Sequence, residues 1–265
     1  MTEDISGSQA RADEAWLDAD FREMNLSYAE KSGLQIYRNY TLSFEEHNIE
    51  RFRDALNNEE HDFSALVQLT HLLVHEDIRF TPVILCGYAD DALKSVFMDV
   101  LPAEVPGGRS SMLSGYGPLS TLSERIRLAH AFTVLSQDLM TQLDAVRKVR
   151  NRVSHDWNLK SAIELLDSIS LDDLYPIDHQ IAEHSPEVGA TDVELDRSSS
   201  LRTRLIWLAG RLTYESAAFN KAKRARLSPM KALYGNGSTN WLAEVAQICA
   251  NATRSVSLQA AAKLG

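Results

Sequence analysis

The sequence predicts an all-α fold, a multi-helix bundle built round one central capped helical hairpin, with helical extensions at both ends. Three observations predict it. Apolar residues recur at three- and four-residue spacing in one segment after another. Most of those segments open on a residue able to cap a helix N-terminus. The two central segments, Leu122 onward and Leu139 to Val153, are joined only through Val134–Ser136, which leaves them no arrangement but a near-antiparallel pair.

Residues 1 to about 34 are polar and acid-rich, with Trp16, Leu17, Phe21 and Met24 able to line one helical face. They read either as a partly ordered arm that docks on the body or on a partner, or as a loosely held terminus. Gln35 to Thr41, with Ile36, Tyr37 and Tyr40, reads as a short strand. Ser43 and Glu46 then form a capping box opening a helix whose inner face is Phe44, Ile49, Phe52 and Leu56, closed at Asn57-Asn58. Asp62 caps the next helix, which turns Leu66, Leu69 and Leu73 inward. His71 and His75 have the spacing of a metal pair. The run His-Leu-Leu-Val-His lacks the glutamate of a zinc-protease helix and has no evident third ligand, so no metal is assigned.

Thr81-Pro82 restarts a helix, proline being tolerated in the first turn. It runs to about Leu101 through Ala89, Ala92, Leu93, Val96, Phe97 and Val100. Asp90 and Asp91 are adjacent and point in different directions. One is expected to be solvated and the other to pair with Arg125 or Arg150. Pro102 to Ser120 is glycine-rich, but no strand precedes it and no Gly-Lys-Ser/Thr closes it. It reads as a mobile loop leading into the hairpin rather than a phosphate cradle.

Thr121 with Glu124 is a capping box, followed by Leu122, Ile126, Ala129 and Thr133 on one face. Ser136 caps the second hairpin helix, whose stripe is Leu139, Leu143, Val146, Val149 and Val153. The end of that helix carries the residues with chemical potential, Arg150, Asn151 and His155. A guanidinium near an imidazole can hold a phosphate and move a proton. The same residue types also cap helix C-termini in a purely structural role.

Beyond His155 the chain is acidic to Asp196, with Lys160 as the sole base, and then basic from Arg197 to Lys231 with Glu215 as the sole acid. The basic stretch holds a helix with Leu201, Leu205, Leu208 and Leu212 on one face. It can grip nucleic-acid phosphates, pair with the acidic segment or form a solvated face. Ser228-Pro229 reads as a helix start and Gly235-Asn236-Gly237 as a loop. The last helix carries Trp241, Leu242, Val245, Ile248 and Cys249. The expected organisation is an acidic N-terminal arm over 1–43, a helical domain over 44–220 and a C-terminal helical extension over 221–265.

Composition narrows the function classes. With 37 acidic against 27 basic side chains in 265 residues, the net charge of −10 argues against broad, nonspecific nucleic-acid or membrane binding, while leaving room for a local basic patch. Cys86 and Cys249 are too few and too far apart for a disulfide framework or a zinc site. Neither an N-terminal apolar run nor a segment long enough to span a bilayer is present. The expectation is a cytoplasmic protein with no cofactor.

The ordered set Gly117-Pro118-Leu119-Ser120-Thr121, Ser123, Arg125-Ile126, then Val149-Arg150-Asn151 to Ser154-His155, resembles the mannitol operon repressor family. Tyr88 to Leu93 resembles an earlier helix of that family. The likeness covers roughly Phe63 to Asp173, and more faintly Leu201–Leu212. Ser154 stands where that pattern has alanine. The resemblance implies a non-enzymatic, transcription-related regulator of the kind associated with repression of sugar-alcohol uptake genes. No helix-turn-helix with a basic recognition helix is visible, so such a regulator is expected to act on a protein partner of its regulatory pathway. Arg150 to His155 also resembles the arginine–four-residues–histidine motif of the HEPN superfamily. That resemblance implies an alternative, a metal-independent endoribonuclease acting on RNA as a homodimer. His155 would transfer the proton at the ribose 2′-hydroxyl, Arg150 would bind the scissile phosphate and Asn151 would orient the pair. A third reading is a module that binds a nucleotide or phosphorylated ligand at the same Arg150/His155 groove without cleaving it. Whether the chain is an enzyme stays open at this point.

Overall fold

The structure is a computed structural model that describes residues 14–155, 169, 195–224, 233–234 and 239–264, without the side chains of 154, 155, 220, 223, 224 and 264. The described residues are helical and contain no strand. They form α1 (Ala19–Glu23), α2 (Tyr28–Asn58), α3 (Ser64–His75), α4 (Thr81–Val100), α5 (Arg109–Leu113), α6 (Leu122–Ala131), α7 (Gln137–His155), α8 (Arg197–Arg224) and α9 (Asn240–Leu264). The chain divides into two compact units, Met1–Arg51 and Phe52–Gly265.

In the first unit the capping box is Ser27 with Glu30. The Ser27 N–H donates to the Glu30 carboxylate at 2.9 Å, and the Glu30 N–H donates to Ser27 Oγ at 3.4 Å. Helix α2 therefore starts fifteen residues before Ser43, which lies in its interior, and the strand expected over Gln35–Thr41 is helix. The sequence pattern misleads here because the inner face of α2 is polar. Lys31, Gln35 and Arg38, at i, i+4 and i+7, reach down onto the α1 segment. Lys31 Nζ donates to Glu14 and to the Arg22 carbonyl, and Gln35 binds both the backbone N–H and the carboxylate of Asp18. Arg38 bridges Asp18 and Asp20 with its guanidinium over the Phe21 ring. The apolar residues that suggested a strand lie on the outer face, and Phe44, expected inside, is exposed, while Ile49 is buried.

The second unit is organised around α8. Every residue from Arg204 to Ser216 is buried, because α8 packs against α3, α4, α7 and α9. Gly210 sets its approach to α9: a Cβ there would run into Cys249 Sγ. Expected inner faces are buried in α3 (Leu66, Leu69, Leu73), α4 (Ala89, Leu93, Val96, Phe97) and α7 (Leu139, Leu143, Val146, Val149). Asp62 takes the Ser64 N–H at 2.8 Å at the start of α3, and Ser136 takes the Leu139 N–H at the start of α7. The segment from 221 differs from an appendage. Trp241, Leu242, Val245 and Cys249 of α9 are buried, and α9 packs on α8 and α3 within the same unit.

The hairpin turn explains why α6 stops before Thr133. Phe132 ends the helix and Thr133 sits at φ +60°. The Val134 N–H returns to the Ala129 carbonyl at 2.8 Å and the Thr133 N–H to the His130 carbonyl at 2.9 Å, a Schellman motif. A β-branched residue there carries strain that glycine would not. Replacing Thr133→Gly is expected to stabilise the fold by about 1 kcal/mol, after glycine's larger unfolded-state entropy. For a chain this long that is a rise of roughly 2–4 °C in Tm. A melting curve with unchanged or lower Tm would show that the turn carries no such strain.

Candidate functional site

The motif residues fall into two groups. The first surrounds Arg125, which α6 buries completely. Its Nη1 is paired with the Asp90 carboxylate on α4, and its Nη2 donates at 2.9 Å to the carbonyls of Leu113 and Ser120. One guanidinium thus ties α4, the end of α5 and the Gly-Pro-Leu-Ser turn to the hairpin. Asp90 pairs with Arg125, as one of the two expected bases, and also takes Lys94; Asp91 is exposed. The stretch expected as a mobile loop contains α5 and a tight turn, in which the Leu119 N–H bonds the Met112 carbonyl at 2.9 Å. Gly117 is required there, since a Cβ would strike the backbone carbonyls of Ser111 and Met112. The Thr121/Glu124 box closes the group, with both halves formed.

The second group is Arg150, Asn151 and His155. Arg150 lies at Cys86 of α4, close enough to hydrogen-bond and to oppose electrostatically the upward push that burial gives the thiol. Cys86 is therefore a protonated, buried thiol beside a guanidinium. Asn151 is half-buried, and position 155 closes α7 with its side chain outside the described residues. Position 155 is five positions beyond 150, so the two are roughly 140° apart around the helix. The structure brings Arg150 to α4.

The polar centre that sequence reasoning missed lies between α7 and α8. Arg211 is paired with Asp138, donates to Ser136 Oγ at 2.9 Å and to Glu215 at 3.1 Å. Glu215 is wholly buried and also accepts from Tyr234 Oη at 2.9 Å and from the Ser136 N–H at 3.2 Å. Burial pushes the Glu215 carboxyl upward against the pull of Arg211. Burial also works on Asp138, but there the Arg211 bond wins and holds the carboxyl below its usual range. The signal available in the sequence was the i, i+4 spacing of Arg211 and Glu215. The contribution of Asp138 is seventy-three residues away and has no local trace.

Several cations of the α8 run are committed within the protein. Arg202 donates to the Leu73 and Glu76 carbonyls at the end of α3, Arg204 is buried, and Lys221 pairs with Glu59. The Lys223 and Arg224 side chains, Arg226, Lys231, Ser228-Pro229 and most of the acidic 156–196 stretch lie outside the described residues. The rings of His71 and His75 lie tilted against each other with centroids 4.4 Å apart, and among the described residues no three His, Cys, Asp or Glu side chains are grouped to hold a metal. No described helix is long and apolar enough to cross a membrane.

An exposed apolar stripe runs along the outer face of α2. Ile36, Tyr37, Tyr40 and Phe44 are 63, 68, 64 and 57% exposed. At roughly 100° per residue they form one stripe, opposite the side that buries Lys31, Gln35 and Ile49. No protein family, no curated protein and no solved structure matches the chain.

Proposed function

We propose that this chain is a non-enzymatic, cytoplasmic regulatory protein that acts through protein–protein contacts, in the first place with a second copy of itself. The observation that carries the reading is the α2 stripe. A helix with one face committed to its own unit and a second face of large apolar side chains needs a second body to cover it. The stripe is self-complementary. Two antiparallel copies crossing at Tyr40 set Ile36 opposite Phe44 and Tyr40 opposite itself, an isologous arrangement. Gly33, on the same line, has open space where a Cβ would stand and permits close approach. The transcriptional context rests on the resemblance to the mannitol operon repressor family alone. The position of Arg150 against Cys86 supports the non-enzymatic side, because it gives the guanidinium a packing role.

Sedimentation equilibrium tests the contact. Wild type is expected to dimerise in the micromolar range, and Tyr40→Glu with Phe44→Glu to weaken the dimer at least 100-fold, about 2.7 kcal/mol, with Tm unchanged. A wild-type monomer at high concentration would remove the self-contact. The non-enzymatic reading is tested separately, by incubating structured RNAs with the protein in EDTA. No cleavage is expected. Cleavage that disappears in folded Arg150→Ala and His155→Ala variants would move the function to the motif.

A further inference from the structure

We infer that the groove between α6 and α7 is a binding site for a small phosphate-bearing molecule with an apolar ring, such as a nucleoside diphosphate. The groove encloses about 570 Å³. Ile126 of α6 and Met140 and Val149 of α7 contribute its apolar lining, and Arg127, Lys148 and Arg152 its cations. Asp144 is the one carboxylate in the lining and is already engaged, by Lys148 Nζ at 2.9 Å and by Arg147 at 2.7 Å. Arg127 and Arg152 are exposed and have no carboxylate partner among the described residues. Three cations against one carboxylate leave the groove two positive charges in excess, on a chain whose net charge is −10.

Solvated arginines on a convex surface would need no explanation. Here they border a concave site with an apolar lining, the combination that small-molecule pockets use for body and head group. Guanidinium forks match phosphate oxygens, and an ammonium beside them adds charge. Lys148 and Arg152 are at i and i+4 on one face of α7, while Arg150, between them, is turned to Cys86. The site therefore uses a face of α7 from which Arg150 is turned away. From 141 to 152 the lining spans about three turns of helix, room for a ring on the apolar part and a pyrophosphate at the cationic part.

Isothermal titration of the full-length protein with ADP, pyrophosphate and adenosine tests this at low and moderate salt. ADP is expected to bind at least tenfold more tightly than either fragment, with affinity falling as salt rises. Arg127→Ser with Arg152→Ser is expected to weaken ADP at least tenfold with Tm unchanged, and Met140→Glu to weaken ADP while sparing pyrophosphate. No binding of ADP at millimolar concentration, equal affinity in the double variant, or a short single-stranded RNA that binds over 100-fold more tightly than ADP in the same groove would each overturn the proposal.

Discussion

Arg211→Met is expected to lower the unfolding free energy by about 3–5 kcal/mol, the range for breaking a buried ion pair by removing one member. The size follows from what is left behind. Glu215 is fully buried and loses Arg211, the one cation bonded to it among the described residues, keeping the Tyr234 hydroxyl and the Ser136 N–H. Asp138 loses the same partner, and Ser136 Oγ loses a donor at the start of α7. Urea unfolding at two pH values separates this from simple loss of packing. In the variant, the folded Glu215 carboxyl is raised further above its unfolded value, because burial then acts on it without the opposing pull of Arg211. A group raised in this way adds stability below its unfolded pKa and loses it as pH rises through the folded one. The deficit should therefore be larger at pH 7 than at pH 5. Adding Glu215→Gln to Arg211→Met should recover part of the loss at pH 7 and flatten the difference between the two pH values. A deficit under about 1 kcal/mol for Arg211→Met, or one equal at both pH values, would mean that the network is hydrated and weak.

Helices α3, α4, α6 and α7 were legible in the sequence for a local reason. Asp62, Thr81-Pro82, Thr121 with Glu124, and Ser136 mark their starts, and each turns apolar residues inward at helical spacing. Helix α2 inverts that rule. It turns Lys31, Gln35 and Arg38 toward α1 and leaves Tyr37, Tyr40 and Phe44 outside, so a reading that equates apolar with buried places its start too late. Helix α8 defeats the charge rule in the same way. Its arginines look like a solvated or phosphate-binding face, yet Arg204 and Arg211 are interior and Arg202 caps α3. Which carboxylate or carbonyl an arginine meets is a long-range property. Asp90 with Arg125, and Asp138 with Arg211, are set by helix packing and have no sequence spacing to betray them. For Arg150 the sequence supplied the helix and the position; the contact with Cys86 came from the packing of α7 on α4.

Arg125→Met is the second large effect, again about 3–5 kcal/mol, but it should appear first as a local opening. Arg125 is the one side chain that joins Asp90, the Leu113 carbonyl and the Ser120 carbonyl. Removing it leaves two backbone acceptors at the ends of the 113–120 turn without their guanidinium and leaves Asp90 with Lys94. Arg125→Lys keeps a charge for Asp90 but cannot reproduce the planar fork, so it should recover less than half of the loss. Hydrogen exchange on the folded variants is the discriminating measurement. Loss of protection confined to α5 and the turn, with α7 and α8 unchanged, would mark Arg125 as the clasp of that segment. The same result would give Asp90, Gly117 and Arg125 architectural work. The resemblance they carry would then describe how this bundle is fastened, and the regulatory role proposed above would rest on surfaces the clasp does not touch, the outer face of α2 first among them. Uniform loss of protection across α4, α6 and α7 would instead make Arg125 part of the global core. A variant as stable as wild type would leave those motif residues without a structural purpose and return them to consideration as a site.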